Sequence, residues 1–166
     1  MSTLPHKEIE RIYLALGRAL WHLQYVEDAL NALITIKQDI GGPGRFTDAE
    51  ARAMLTEQLK ATMGQAVRRA EKCALLPAED LRRLAYLKDE RNWVAHKVQR
   101  TVGDSVLSPW GRLELLQRLE HITTESQVLL KVVASEMQRF VGSTGHELVV
   151  SARLTALLAA DRASAA

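Results

Sequence analysis

The run Arg91-Asn92-Trp93-Val94-Ala95-His96 places a guanidinium, a carboxamide and an imidazole close together, and these groups can bind and cleave a phosphodiester. A guanidinium presents a planar fork of donors that grips two non-bridging phosphate oxygens. An imidazole titrates near neutrality and serves as general acid or base. Cleavage of RNA through its own 2′-hydroxyl needs a base for that hydroxyl, an acid for the departing 5′-oxygen, and a cation for the charge gathering at phosphorus. Arg91 and His96 fit the cation and one proton-transfer role, while Asn92 can fix the imidazole tautomer or bind phosphate or ribose. One chain offers a single such imidazole, and the second proton transfer is easier with the motif of another copy.

These side chains act together only on a helix. At 100° per residue from Leu84, residues Leu87, Arg91, Val94 and Val98 gather between about 280° and 340°, with Ala95 near 20°, so Arg91 stands inside the apolar stripe. Asn92 near 80° and His96 near 120° stack at i,i+4 beside that stripe, within reach of the long arginine. Trp93 near 180° and Tyr86 near 200° lie opposite it, so the helix is expected to bury two sides, the second against a facing motif helix in a homodimer.

The surrounding pattern is helical throughout. Ile9, Ile12, Leu16, Ala19, Leu23, Val26, Leu30, Leu33, Lys37 and Ile40 recur at spacings of three and four, apolar except for Lys37, and predict a first helix from about His6 to Ile40. Gly41-Gly42-Pro43-Gly44 ends it, and the capping-box spacing of Thr47 and Glu50 starts a second helix expected to reach about Ala74. Pro77, with Glu79 and Asp80 in the first turn, opens the motif helix through to about Gln99. A loop over Thr101 to Pro109 precedes a fourth helix from about Trp110, broken by Gly142-Ser143-Thr144-Gly145. Thr144 and Glu147 then cap a short last amphipathic helix before a frayed tail from Asp161, and only Glu147 to Val150 resembles a strand. The fold class expected is all-α, a bundle of four to five helices forming one domain over residues 1–166.

Composition sets the setting. A single cysteine, Cys73, excludes an internal disulfide framework; no charged-then-apolar leader opens the chain, and no apolar run approaches the roughly 20 residues of a bilayer span. A soluble, cytoplasmic protein with no membrane partner is expected. Net charge is only +2, but residues 45–100 hold 12 Lys/Arg against 8 Asp/Glu, and the flanking stretches lack that excess. The bias falls where the motif falls and permits a nucleic-acid backbone as partner.

The string Glu90-Arg91-Asn92-Trp93-Val94-Ala95-His96, with an arginine, a polar residue directly after it and a histidine five positions on, resembles the Arg-x4-His motif of the HEPN superfamily. The resemblance implies a helical bundle with the motif late in one of its helices. It also implies a cofactor-free, metal-independent ribonuclease of the toxin–antitoxin or phage-defence kind. The site would be Arg91, Asn92 and His96, paired across a homodimer, with RNA as substrate and a cognate antitoxin protein as a possible partner. Relatives silenced by nucleotide modification often carry a tyrosine two residues after the histidine; Val98 stands there, so that route is not expected. The rival reading is a non-catalytic helical module of the same kind that binds a protein or nucleotide. In it Arg91 spans the core to a carboxylate such as Glu27 or Asp28, and His96 is a helix-face histidine.

Other patterns carry less. Gly41-Gly42-Pro43-Gly44-Arg45 lacks the Lys-Ser/Thr ending of a phosphate loop and reads as a turn. His121 and Glu125 share a face without a third metal ligand, and Arg68-Arg69 and Arg82-Arg83 read as solvated pairs. Cys73 is expected to be a buried structural thiol, and Trp21, Trp93 and Trp110 to complete a core or an interface rather than stack bases.

Overall fold

A computed structural model describes residues 6–41, 45–103 and 105–144. Among them the chain is all-α, with no strand. The helices are α1 (His6–Ile34), α2 (Asp48–Gln58), α3 (Met63–Lys72), α4 (Ala78–His96), α5 (Val98–Val102) and α6 (Pro109–Thr144). The expected last helix, the Glu147–Val150 stretch, the tail from Asp161 and the Gly42–Gly44 part of the first turn lie outside the described residues.

The seam read in α1 is the core of the bundle: Ile12, Ala19, Leu23, Val26, Leu30 and Leu33 are all buried. Its one polar member is explained by the end of the helix. From Thr35 to Ile40 the chain widens into a π-helical turn, which keeps Ile36 and Ile40 buried. The same turn directs Lys37 to Glu136 at 2.6 Å and Asp39 to Arg69 at 3.0 Å. Gly41 closes the turn at φ 72°, a conformation that costs glycine nothing, and its N–H bonds Ile36 O at 3.0 Å.

The second helix is two helices. The Thr47 box forms as expected, its N–H donating to Glu50 Oε2 at 2.8 Å, but α2 stops at Gln58 and a second box starts α3. There Thr62 N–H donates to Gln65 Oε1 at 2.9 Å and Gln65 N–H to Thr62 Oγ1 at 3.4 Å. Asn31 on α1 fixes the intervening turn by donating to Ala61 O at 3.0 Å. Cys73, expected inside, is exposed: it caps the C-terminus of α3, and Ala74 at φ 46° turns the chain away from the core immediately after it.

The motif helix is shorter than expected. α4 ends at His96, Lys97 takes φ −124° and ψ −20°, and Val98 belongs to α5. The stretch read as a loop therefore holds the end of α5 and a single 3-10 turn, Ser105–Leu107. Ser108 caps α6 by accepting from Gly111 N–H at 3.0 Å, with Pro109 in the first turn, where its missing N–H is harmless. α6 continues through Gly142 to Thr144, so the expected break does not fall at that glycine.

Cross-helix contacts give the directions. Glu8 meets Arg112, His22 meets Gln127 and Lys37 meets Glu136, so α1 and α6 run parallel. Arg83 meets Glu125, Tyr86 packs near His121 and Glu90 meets Arg118, so α4 runs antiparallel to both. No described helix is long and apolar enough to cross a membrane.

Candidate functional site

α4 forms because Leu84, Leu87 and Val94 give it one apolar side against the α1 seam, and Glu79 and Asp80 suit the positive end of its dipole. The helix thereby carries Arg91, Asn92 and His96 together, with His96 as its final residue. The three do not share one environment. Asn92 and His96 are exposed, one turn apart. Arg91 is half-buried and turns toward α1, where its Nε lies 3.7 Å from Glu27 Oε2.

That distance makes an ion pair but is too long for a hydrogen bond. The Nε is buried with no hydrogen-bond partner, and among the described residues no hydrogen bond ties the guanidinium down. Burial pushes the Glu27 carboxyl above the ordinary range, with neighbouring Asp28 adding in the same direction, while Arg91 and the Met63 N–H pull it back. Of the two carboxylates that could have met a core-spanning arginine, Glu27 is the one within ion-pair distance.

The other side of α4 is clamped by a group that sequence periodicity passed over. Glu90, 7 % exposed, accepts from Arg118 Nε at 2.9 Å and Nη2 at 2.8 Å. The Arg118 guanidinium lies 3.6 Å from the centre of the Trp93 ring, so Trp93 is roofed by a cation held in place by a carboxylate. Tyr86 tilts against His121 at 5.8 Å, its phenol pushed up mainly by burial, with Glu90 and Glu125 adding to the rise and Arg118 opposing it. On the second apolar side of the motif helix Trp93 is thus covered by Arg118 of α6, whereas Tyr86, expected to be buried, is 37 % exposed. Trp93 therefore no longer argues for a partner helix there.

The weaker candidates resolve mostly as framework. Arg83 bridges Glu125 and Asp80, and Arg69 bridges Asp39 and Gln58. Glu125 is thereby committed to an arginine, and among the described residues no group of three or more His, Cys, Asp or Glu is placed to hold a metal ion. Trp93 joins the core, whereas Trp21 and Trp110 are exposed.

Compared with protein-family models, with curated proteins and with solved structures, the chain matches none.

Proposed function

We propose that this chain is an endoribonuclease of the HEPN kind that cleaves single-stranded RNA without a metal ion, as a toxin or phage-defence effector. The observation that carries the reading is the asymmetry on α4: Asn92 and His96 stand exposed one turn apart, beside an Arg91 that is near a carboxylate yet tied by no hydrogen bond among the described residues. A phosphate with two oxygens for the guanidinium fork would compete well for such an arginine. His96 then takes the proton of the 2′-hydroxyl or gives one to the leaving oxygen. The 2′-oxygen bonds to phosphorus as the bond to the 5′-oxygen breaks, leaving a 2′,3′-cyclic phosphate and a 5′-hydroxyl. A second copy of the chain would supply the other proton transfer, and a cognate antitoxin would be the natural antagonist.

One observation favours the rival, non-catalytic module: Arg91 already has a buried counter-ion in Glu27, as a core-spanning arginine should. Incubation with RNA in excess chelator separates the two. The ribonuclease reading expects cyclic-phosphate ends, and a His96→Ala protein, folded by circular dichroism, slower by about 10² to 10⁴. Undiminished cleavage by that variant, or an intact RNA pool with the wild type, decides for the module.

A further inference from the structure

Where the first half of α1 runs beside the first half of α6, the bundle carries an open groove of about 580 Å³. Its floor is apolar, built on Leu116 and the fully buried Leu119. Leu14 and Leu113 stand at its lips, 69 % and 48 % exposed, and Trp21, 56 % exposed, continues the α1 lip two turns beyond Leu14. The charges are divided between the walls. Arg11 and Arg18, both exposed and two turns apart, lie on the α1 wall, and Glu120, also exposed, lies on the α6 wall. The contacts of Glu8 with Arg112 and of His22 with Gln127 fix the level of the two helices, and they set Glu120 across from the stretch between Arg11 and Arg18. Among the described residues none of these three charges takes part in an ion pair, whereas the framework arginines Arg69, Arg83, Arg112 and Arg118 all do.

We infer that this groove is the docking site of an amphipathic helix from a partner protein, with apolar residues facing the floor, acidic residues on the flank toward α1 and a basic residue on the flank toward α6. On α6 the lining runs from Leu113 to Thr123, about 15 Å, which is close to three turns of an occupying helix. Apolar side chains recurring every three and four positions fill a groove of this kind. Two carboxylates two turns apart on one flank match the rise from Arg11 to Arg18, and each makes a charge-assisted pair with an arginine that has no ion pair of its own among the described residues. A cation between them on the opposite flank answers Glu120. The division of charge selects this occupant over others. Nucleic acid would bring phosphates against Glu120, and the groove set against its own copy leaves the hollow unfilled.

The groove is separate from the proposed site. At 100° per residue Arg18 lies about 180° around α1 from Glu27, the residue beside Arg91 of α4. The occupant therefore sits on the side of α1 turned away from α4, and Asn92 and His96 stay open to solvent. The inference goes beyond the ribonuclease reading and does not need it.

The probe is a displayed library of helical peptides about 15 residues long, with leucines fixed along one face and glutamate, lysine and glutamine allowed on both flanks, selected on the full chain. Retained peptides should carry glutamates two turns apart on one flank and lysine on the other. A synthetic copy should bind at least about tenfold more weakly to an Arg11→Glu/Arg18→Glu protein, because two attractions become two repulsions. Selection on that variant should turn the acidic flank basic. Leu113→Asp puts a charge on the exposed lip and should abolish retention, with circular dichroism showing both variants folded. Peptides retained equally by Leu113→Asp, peptides without the divided charges, or one charge pattern on wild type and Arg11→Glu/Arg18→Glu alike overturn the inference. So does a wild type that retains no peptide, including one whose groove is already filled by a second copy, seen as a doubled mass in light scattering. No arm reads RNA cleavage, so an intact RNA pool counts against the ribonuclease reading alone.

Discussion

Removing the Glu90 carboxylate tests how the motif helix is held. Glu90→Ala deletes two charge-assisted hydrogen bonds to Arg118, at 2.9 Å and 2.8 Å, from a side chain only 10 % exposed. Breaking a fully buried pair costs about 3–5 kcal/mol, because the surviving charge is stranded. Here the survivor is Arg118, which is 42 % exposed and keeps its stack on Trp93, so water can take over part of the carboxylate's work. The expected loss is therefore smaller, about 2 kcal/mol, near the worth of one hydrogen bond to a charged group. For a chain of this length that lowers the melting temperature by roughly 4–8 °C. The reverse deletion, Arg118→Ala, strands the buried member and should cost more, approaching the full ~3–5 kcal/mol. Melting of both single variants and the double variant by circular dichroism at neutral pH reads the order and the coupling. If Glu90→Ala melts with the wild type, or costs more than Arg118→Ala, the clamp does not hold α4 as argued.

The Arg91–Glu27 contact yields a pH-dependent test. Burial raises the Glu27 carboxyl above its ordinary 4.5, so the ionised form is the disfavoured one in the folded chain. Stability from this group is gained as pH falls through the raised value toward 4.5, and its cost is complete above that window. Glu27→Gln, neutral at every pH, should match or exceed the wild type in thermal stability near neutrality, with the advantage fading below 4.5; a constant offset at both pH values refutes the assignment. Arg91→Lys keeps the charge but loses the fork, so RNA cleavage should fall by at least about tenfold in a folded protein, and full activity would remove phosphate gripping from its role. Thr62→Ala deletes the cap of α3 and should cost about 1 kcal/mol, read as a fall of roughly 2–4 °C in melting temperature.

The all-α class and most helix starts were legible because caps are local chemistry: Thr47 with Glu50 announced α2 and Pro77 announced α4, whatever the rest of the chain did. The turn before α3 was missed for a physical reason. Leu55, Leu59, Met63 and Ala66 keep a helical spacing straight through it, and the Thr62–Gln65 box that breaks it is polar and brief. A wheel reports at what angle a helix is apolar, not which surface answers it. Trp93 and Tyr86 read as a second buried side of α4, and only the antiparallel register of α4 on α6 shows that Arg118 and His121 of the same chain lie against them. Glu90 was invisible for the related reason that hydropathy assigns a carboxylate to solvent unless its arginine is known, and that arginine lies 28 positions away.

Arg91 was legible as an anomaly, since a guanidinium inside an apolar stripe needs a counter-ion, and both adjacent carboxylates of α1 were candidates. What the sequence could not convey is how loosely the counter-ion holds it. At 3.7 Å, with a buried Nε left without a hydrogen bond, the arginine is neutralised in charge but not satisfied in donors. A residue that merely spanned the core would gain by closing that distance, because an unmade buried hydrogen bond costs about 1–3 kcal/mol. Arg91 therefore enters the bundle paired in charge with Glu27 and unpaired at its buried Nε, a state that no helical wheel of the sequence could report.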